Sequence, residues 1–131
     1  MNKIAMGRIR RSGGTFMGMN TLILTTVGRK SGQPRSTPVG WFAGPDNDRW
    51  IVVASAAGAR SNPAWYLNVA AHPDRVTIEL AGESIPVTAR ELHGSERDDA
   101  WASITAVAPR FAQYEQKTDR QLPVIELTRR S

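Results

Sequence analysis

Residues 21–55 read TLILTTVGRKSGQPRSTPVGWFAGPDNDRWIVVAS, and they carry the clearest strand and turn signals of the chain. Residues 21–27 are rich in β-branched side chains and are followed by a glycine, which is typical of a buried strand that stops at a turn. Extended structure resumes over residues 36–42, and the loop GPDND at residues 44–48 leads into a further strand at residues 50–55. The stretch therefore predicts three strands in an antiparallel meander.

The rest of the chain adds helices and a second hairpin. Asn62 stands directly before a proline, as a capping residue would, so a helix is expected over residues 63–71. Residues 76–80 and 85–92 flank the turn at residues 81–83 and predict the hairpin. The remaining elements are helical pieces at residues 95–107 and 111–117 and a closing strand at residues 122–127. This order predicts an α+β, mainly β protein, with an antiparallel, barrel-like sheet and helices packed outside it.

Length and composition restrict the classes of function. With 131 residues the chain is long enough for one core, so we expect a flexible basic arm at residues 1–14 and a single domain at residues 15–131. The chain has no cysteine and two histidines, so no metal site is expected, and the composition fits a reducing cytoplasm. Its net charge of +5 favours an anionic partner. Nucleic acid is not expected, because no recognition motif is present.

The loop of residues 28–35 (GRKSGQPR) is the most informative segment for function. It carries Arg29, Lys30 and Arg35 in a glycine-containing connection between two predicted strands. Hydrogen bonds from such cations to phosphate or carboxylate contribute roughly 1.5 to 3 kcal/mol each. The loop lacks the GxxxxGK[ST] spacing of a nucleotide-binding P-loop. The residues alone leave two interpretations open, an anion-binding loop and a solvated polar hairpin.

A second segment leads small residues from a strand end into a helix start. It consists of residues 54–58 (ASAAG) and residues 62–68 (NPAWYLN). Small side chains leave room for a flat ring, a helix N-terminus offers free amides to an anion, and Trp65 or Tyr66 would wall a pocket. Core packing of these two aromatic residues is the commoner explanation of the same pattern.

Several separated motifs, all in the same order, resemble the deazaflavin-dependent nitroreductase family. They are residues 24–35 with Thr37 and Pro38, residues 53–55, residues 62–68 and 72–73, residues 88–90, Trp101, residues 118–120 and residues 122–125. The similarity covers nearly everything after Gly13. It implies a split β-barrel of the flavin-reductase type that binds coenzyme F420, an 8-hydroxy-5-deazaflavin. The implied activity is that of an enzyme, an oxidoreductase that transfers hydride from reduced F420 to a small organic acceptor: a quinone, an enone or a nitro compound.

The same resemblance implies site residues. The coenzyme tail would contact Arg29, Lys30, Ser31 and Arg35. The ring and ribityl chain would contact Ser36, Thr37, Pro38, Val53, Ala54 and Ser55, with Ala56 adjoining and a far wall of Ala64, Trp65, Tyr66, Leu67 and Asn68. The acceptor lip would be Ala108, Phe111 and Tyr114. Ser55 and Tyr114 are the candidate catalytic residues that orient or protonate the acceptor.

This chain departs from the family pattern in two places. Ala56 stands where the nitroimidazole-reducing member has a lysine, so one tail contact is expected to be missing. Ala108 and Phe111 stand where that member has two of its three lip tyrosines. The loss of two phenols should change which acceptors fit, and puts nitroimidazole reduction in doubt.

Two alternatives and two assembly questions stay open at this point. The alternatives are a non-catalytic F420-binding or storage protein and an FMN-dependent reductase on the same type of barrel, although the single phosphate of FMN does not call for so extended a cationic loop.

The basic arm would suit an acidic membrane face, where quinones reside. Trp41 and Trp50 would suit a homodimer surface, and are as easily explained as core residues.

Overall fold

The computed structural model describes residues 15–16, 19–55, 62–117 and 121–130. The expected arm at residues 1–14 therefore lies outside the described residues. The strands are β1 (Thr15–Phe16), β2 (Met19–Val27), β3 (Pro34–Ala43), β4 (Arg49–Val53), β5 (Val76–Leu80), β6 (Glu83–Glu91) and β7 (Val124–Arg129). The helices are α1 (Ala64–Ala71), α2 (Gly94–Val107) and α3 (Arg110–Gln116).

The sheet closes on itself to form a barrel. Its strand order is β1-β2-β3-β4-β7-β6-β5, and β5 pairs back onto β2. The closing register sets Leu24 opposite Ile78 and Thr25 opposite Thr77. All strand pairs are antiparallel, and closure gives β2 and β5 the partners that edge strands lack. The predicted antiparallel barrel with helices is confirmed.

The core has two parts, which lie on opposite faces of β4. Because successive side chains of a strand point to opposite faces, Trp50 and Val52 pack into one cluster while Ile51 and Val53 pack into the other. The first cluster fills the barrel, and the second joins the barrel wall to α2 and α3. This double burial explains why β4 is apolar without alternation. Trp50 is a core residue, and half-buried Trp41 packs against the same cluster.

Most element boundaries differ from the sequence expectation by one or two residues, and three of these differences are informative. Helix α1 begins at Ala64 with Pro63 in the N-cap position, so the prediction that Asn62 caps this helix is wrong. Ala81 and Gly82 both have positive φ, 51° and 84°, so the second hairpin turns in two residues and Glu83 already belongs to β6. Strand β7 begins at Val124 and not at Leu122, since Pro123 has no amide hydrogen to donate to a ladder; its carbonyl accepts the amide of Ala54.

Candidate functional site

The basic loop, residues 28–35, is held in shape by its own hydrogen bonds. The amide of Gly28 donates to the carbonyl of Gln33 at 2.8 Å, and the amide of Gly32 donates to the carbonyl of Gly28 at 2.9 Å. The amide of Gln33 also donates to Oγ of Ser31. Gly28 is buried, and a Cβ atom there would lie 2.5 Å from this Oγ. A side chain at position 28 would therefore displace the Ser31 hydroxyl from its hydrogen bond with the Gln33 amide.

The cations of the basic loop have no carboxylate partner among the described residues. Arg29, Lys30 and Arg35 are exposed, and the only side-chain hydrogen bond found for them there runs from Arg35 to the carbonyl of Pro34 at 3.4 Å. Elsewhere arginines pair with acids: Arg49, Arg90, Arg97 and Arg129. The charges of the basic loop are therefore available to an external anion.

A cavity of about 540 Å³ lies between the basic loop and α1. Four predicted tail contacts border it: Arg29, Lys30, Ser31 and Arg35. Four predicted ring or wall positions also border it: Thr37, Ala64, Trp65 and Asn68. Half-buried Trp65 borders the cavity together with the cationic residues of the basic loop. This combination suits a ligand with a planar ring and an anionic tail.

Three residues at the cavity were not singled out from the sequence. Thr26, Gly28 and Pro63 also border it. Thr26 is 1% exposed, and its Oγ1 accepts a hydrogen bond from Nδ2 of Asn68 at 3.1 Å. Gly28 directly follows a strand and Pro63 directly precedes a helix, and these positions are the local signals that could have pointed to them. No local sequence pattern links Thr26 to Asn68, which lies far from it along the chain.

Other predicted coenzyme positions lie away from this cavity wall. Ser36 and Pro38 alternate with Thr37 along β3 and therefore point to its other face, where the hydroxyls of Ser36 and Thr25 lie 2.8 Å apart. Val53 and Ala54 are buried in the two core clusters, and Ser55 is half-buried just after β4. Ala56 lies outside the described residues.

The predicted lip residues pack together where α2 meets α3. Ala108 and Phe111 are buried in the second core cluster, and half-buried Tyr114 packs against it. The ring of Phe111 lies edge-on to Phe42 at 5.6 Å and to Tyr114 at 5.4 Å, measured between centroids. Of the three lip residues, Tyr114 is therefore the one with a partly exposed polar group.

Two predicted wall residues, Tyr66 and Leu67, do not border this cavity. Leu67 is 36% exposed on α1. The hydroxyl of Tyr66 donates to Oε1 of Glu91 on β6 at 2.5 Å. This hydrogen bond, together with burial and the carboxylate charge, raises the pKa of Tyr66 to about 12. Tyr66 thus fastens α1 to the barrel.

Substituting Tyr66→Phe should lower the free energy of unfolding by about 1 kcal/mol at pH 8, because one hydrogen bond to a carboxylate is lost. The folded-state pKa of Tyr66 lies above its ordinary value of 10.0, so this contribution is complete below pH 10 and disappears as the pH rises through 12. Urea unfolding of both proteins at several pH values measures it. Tyr114→Phe is the control. An unchanged difference between wild type and Tyr66→Phe across this range would contradict the assignment.

Comparison with solved structures identifies the class of protein. A chain described as the structure of an F420-H2 dependent reductase matches with a TM-score of 0.72 and 37% identity, over 82% of this chain and 92% of that one. A chain described as a domain-swapped dimer matches with a TM-score of 0.73 and 34% identity, over 95% and 96% of the two chains. The heme storage protein HutZ from Vibrio cholerae shares the fold at 13% identity and a TM-score of 0.64. The barrel is that of the split-barrel reductases.

Sequence comparison gives the family. The sequence model of the F420H(2)-dependent quinone reductase family matches residues 2–129. The F420H(2)-dependent quinone reductase of Mycobacterium tuberculosis is 36% identical over 113 residues, which are 84% of this chain and 74% of that protein. A relative from Mycobacterium bovis matches to the same extent. The chain belongs to the F420H(2)-dependent quinone reductase family, whose members are enzymes.

Proposed function

We propose that the chain oxidises reduced coenzyme F420 and passes the hydride to a quinone or a similar small acceptor. The observation that carries this proposal is a set of three cations, Arg29, Lys30 and Arg35, that have no carboxylate partner among the described residues and border a cavity of about 540 Å³. The F420 tail is polyanionic, with a phosphodiester and several glutamates, so its charge complements the basic loop. FMN carries one phosphate and would leave part of this charge unused.

The residues present fit such a coenzyme, and its chemistry explains the composition of the site. The deazaflavin, when bound, supplies the hydride. The protein then needs to orient the coenzyme and the acceptor, exclude water and provide favourable electrostatic interactions. The basic loop holds the tail. Trp65 would pack against a planar group, and Thr37 lies on the same side of β3 as Arg35, where its hydroxyl would be available to the ligand. In the described residues, no group of three or more His, Cys, Asp or Glu could hold a metal ion.

We propose Ser55 and Tyr114 as the groups that orient or protonate the acceptor. Ser55 follows β4 directly, and Tyr114 has the partly exposed phenol of the lip. The double variant Ser55→Ala/Tyr114→Phe should lower kcat by about 100-fold, since general acid catalysis typically contributes at least that much. Coenzyme affinity should change little. Stopped-flow oxidation of reduced F420 by a water-soluble quinone measures the step, and unchanged turnover would remove both residues from the mechanism.

The test of the proposed function is a titration with oxidised F420, followed by ligand fluorescence, with FMN in parallel. Binding of F420 alone is expected. Binding of FMN with equal affinity, or no binding of F420, would overturn the proposal. If F420 binds but no quinone, enone or nitro compound accelerates oxidation of its reduced form, the chain is a binding or storage protein. Turnover with a quinone excludes that alternative.

We further propose a homodimer and contact of the basic arm with an acidic membrane. One solved relative is described as a domain-swapped dimer, which supports the first proposal. No helix in the part of the chain that the structure describes is long and apolar enough to cross a membrane. Light scattering that gives a monomer mass would refute the dimer. Equal sedimentation with anionic liposomes, with and without residues 1–14, would refute the membrane contact.

A further inference from the structure

Asn68 on α1 uses both ends of its side-chain amide within the protein. Its Oδ1 accepts the backbone amide of Arg29 at 3.1 Å, and its Nδ2 donates to Oγ1 of Thr26 at 3.1 Å. Asn68 is 8% exposed and Thr26 is 1% exposed, so water competes little for either bond. One planar group thus joins helix α1, strand β2 and the basic loop.

We propose that Asn68 is a positioning residue, which holds the backbone of Arg29 so that the basic loop faces the coenzyme tail. The hydrogen bonds within the loop fix its shape, since Gly28, Gly32 and Gln33 bond to one another. They do not determine how the loop sits relative to α1. The hydrogen bond from the Arg29 amide to Asn68 sets this position, because it joins the turn to helix α1, and both residues border the cavity.

This role explains why an asparagine stands at position 68. The site needs an acceptor for the Arg29 amide and a donor for the Thr26 hydroxyl on one short side chain, and the carboxamide supplies both. The family resemblance places Asn68 in the wall that faces the coenzyme ring, and its oxygen keeps a second lone pair and its NH2 group a second hydrogen. Experiment therefore has to separate a ring contact from tail positioning. The proposal rests on the proposed function for the identity of the ligand. The tether itself is a property of the ligand-free protein.

Two ligands separate a tail-positioning role from a ring contact. The first is F420, and the second is the deazaflavin riboside, which lacks the phosphodiester and the glutamates. In Asn68→Ala, the affinity for F420 should fall about tenfold, the equivalent of one lost hydrogen bond, while the affinity for the riboside should change less than about twofold. The KM for reduced F420 should rise, and kcat at saturating coenzyme should stay unchanged. Asn47→Ala is the matched control, because Asn47 is exposed in the loop between β3 and β4.

Amide hydrogen exchange tests the tether without any ligand. In Asn68→Ala, the Arg29 amide should exchange at least about tenfold faster, whereas the Leu92 amide, bonded to the carbonyl of Val124 at 2.8 Å, should not change. Asn68→Asp keeps an acceptor oxygen and should keep the Arg29 amide protected. This second variant also serves if the alanine variant does not fold.

The outcomes are distinct for the two proposals. Unchanged exchange of Arg29 in Asn68→Ala, or lost protection in a folded Asn68→Asp, would overturn the tether. Equal losses of affinity for F420 and the riboside would show a ring contact instead of tail positioning. If the wild-type protein binds neither ligand, the proposed function fails. The exchange experiment still shows whether Asn68 holds the Arg29 amide.

Discussion

Removing two cations of the basic loop in the variant Lys30→Ala/Arg35→Ala should weaken binding of F420 by about 100-fold. Each charge-assisted hydrogen bond to an anion contributes roughly 1.5 to 3 kcal/mol, and exposure to solvent places these two near the lower end, about tenfold each. Thermal stability should stay the same, because neither side chain has an ion pair to lose among the described residues. Fluorescence titration at two salt concentrations measures both the loss and its electrostatic origin.

The control for this experiment is a cation of equal charge away from the cavity. Arg75 is exposed, just before β5, and forms no ion pair within the described residues. Arg75→Ala therefore matches Arg35→Ala in charge removed, and should leave the dissociation constant within about twofold of the wild type. Similar losses in the two single variants would mean that overall charge, and not the basic loop, attracts the coenzyme. Salt dependence should weaken only in the loop variants.

Substitution of Arg97→Ala should lower the free energy of unfolding by about 3 kcal/mol. Arg97 is 6% exposed, and its Nη2 donates to the carbonyl of Leu122 at 2.8 Å and to Oε2 of Glu115 at 3.3 Å. Its guanidinium also lies over the ring of Trp101, 4.7 Å from the centroid. Removal of Arg97 leaves the buried carbonyl of Leu122 without this donor, which costs about 1 to 3 kcal/mol before lost packing is added.

Calorimetry should show this loss as a decrease in Tm of about 10 °C, given the usual dependence of Tm on stability for a domain of this size. Lys117→Ala is the matched control, since Lys117 also lies over an aromatic ring, Tyr114 at 5.7 Å, but is exposed. A decrease in Tm of less than 2 °C is expected for it, in keeping with an exposed cation–π contact. If both variants melt alike, burial of Arg97 contributes little and the argument fails.

Local sequence patterns were sufficient to predict most of the elements of this fold. The strand at residues 21–27 follows from its β-branched side chains, and the second hairpin follows from its glycine, although the turn consists of Ala81 and Gly82 and not of the predicted residues 81–83. Both signals act within a few residues. The cap of α1 was predicted wrongly, because the pattern of asparagine before proline does not distinguish a cap from the residue before it. Barrel closure depends on the pairing of Leu24 with Ile78, for which no local pattern specifies the register.

The candidate site divides in the same way. The sequence showed that Arg29, Lys30 and Arg35 cluster in one turn, and the resemblance assigned this turn to the coenzyme tail. The sequence predicted extended structure for β3 but did not show which face of the strand borders a cavity. Tyr66 was assigned to the cavity wall, whereas its hydroxyl bonds to Glu91, on a strand that the sequence does not connect to α1.

The amino-acid sequence was enough to show the charge of the basic loop and the glycines that let it turn. It also showed the spacing of apolar residues that predicts the strands and helices around the loop. These properties depend on residues within one turn or one strand of each other. Three other properties are seen only in the folded protein: the loop cations have no acidic partner among the described residues, Asn68 accepts the amide of Arg29, and Arg97 is buried against Leu122. Each of these depends on atoms brought together from distant parts of the chain, because a hydrogen bond or an ion pair is decided by separation in space and not along the sequence.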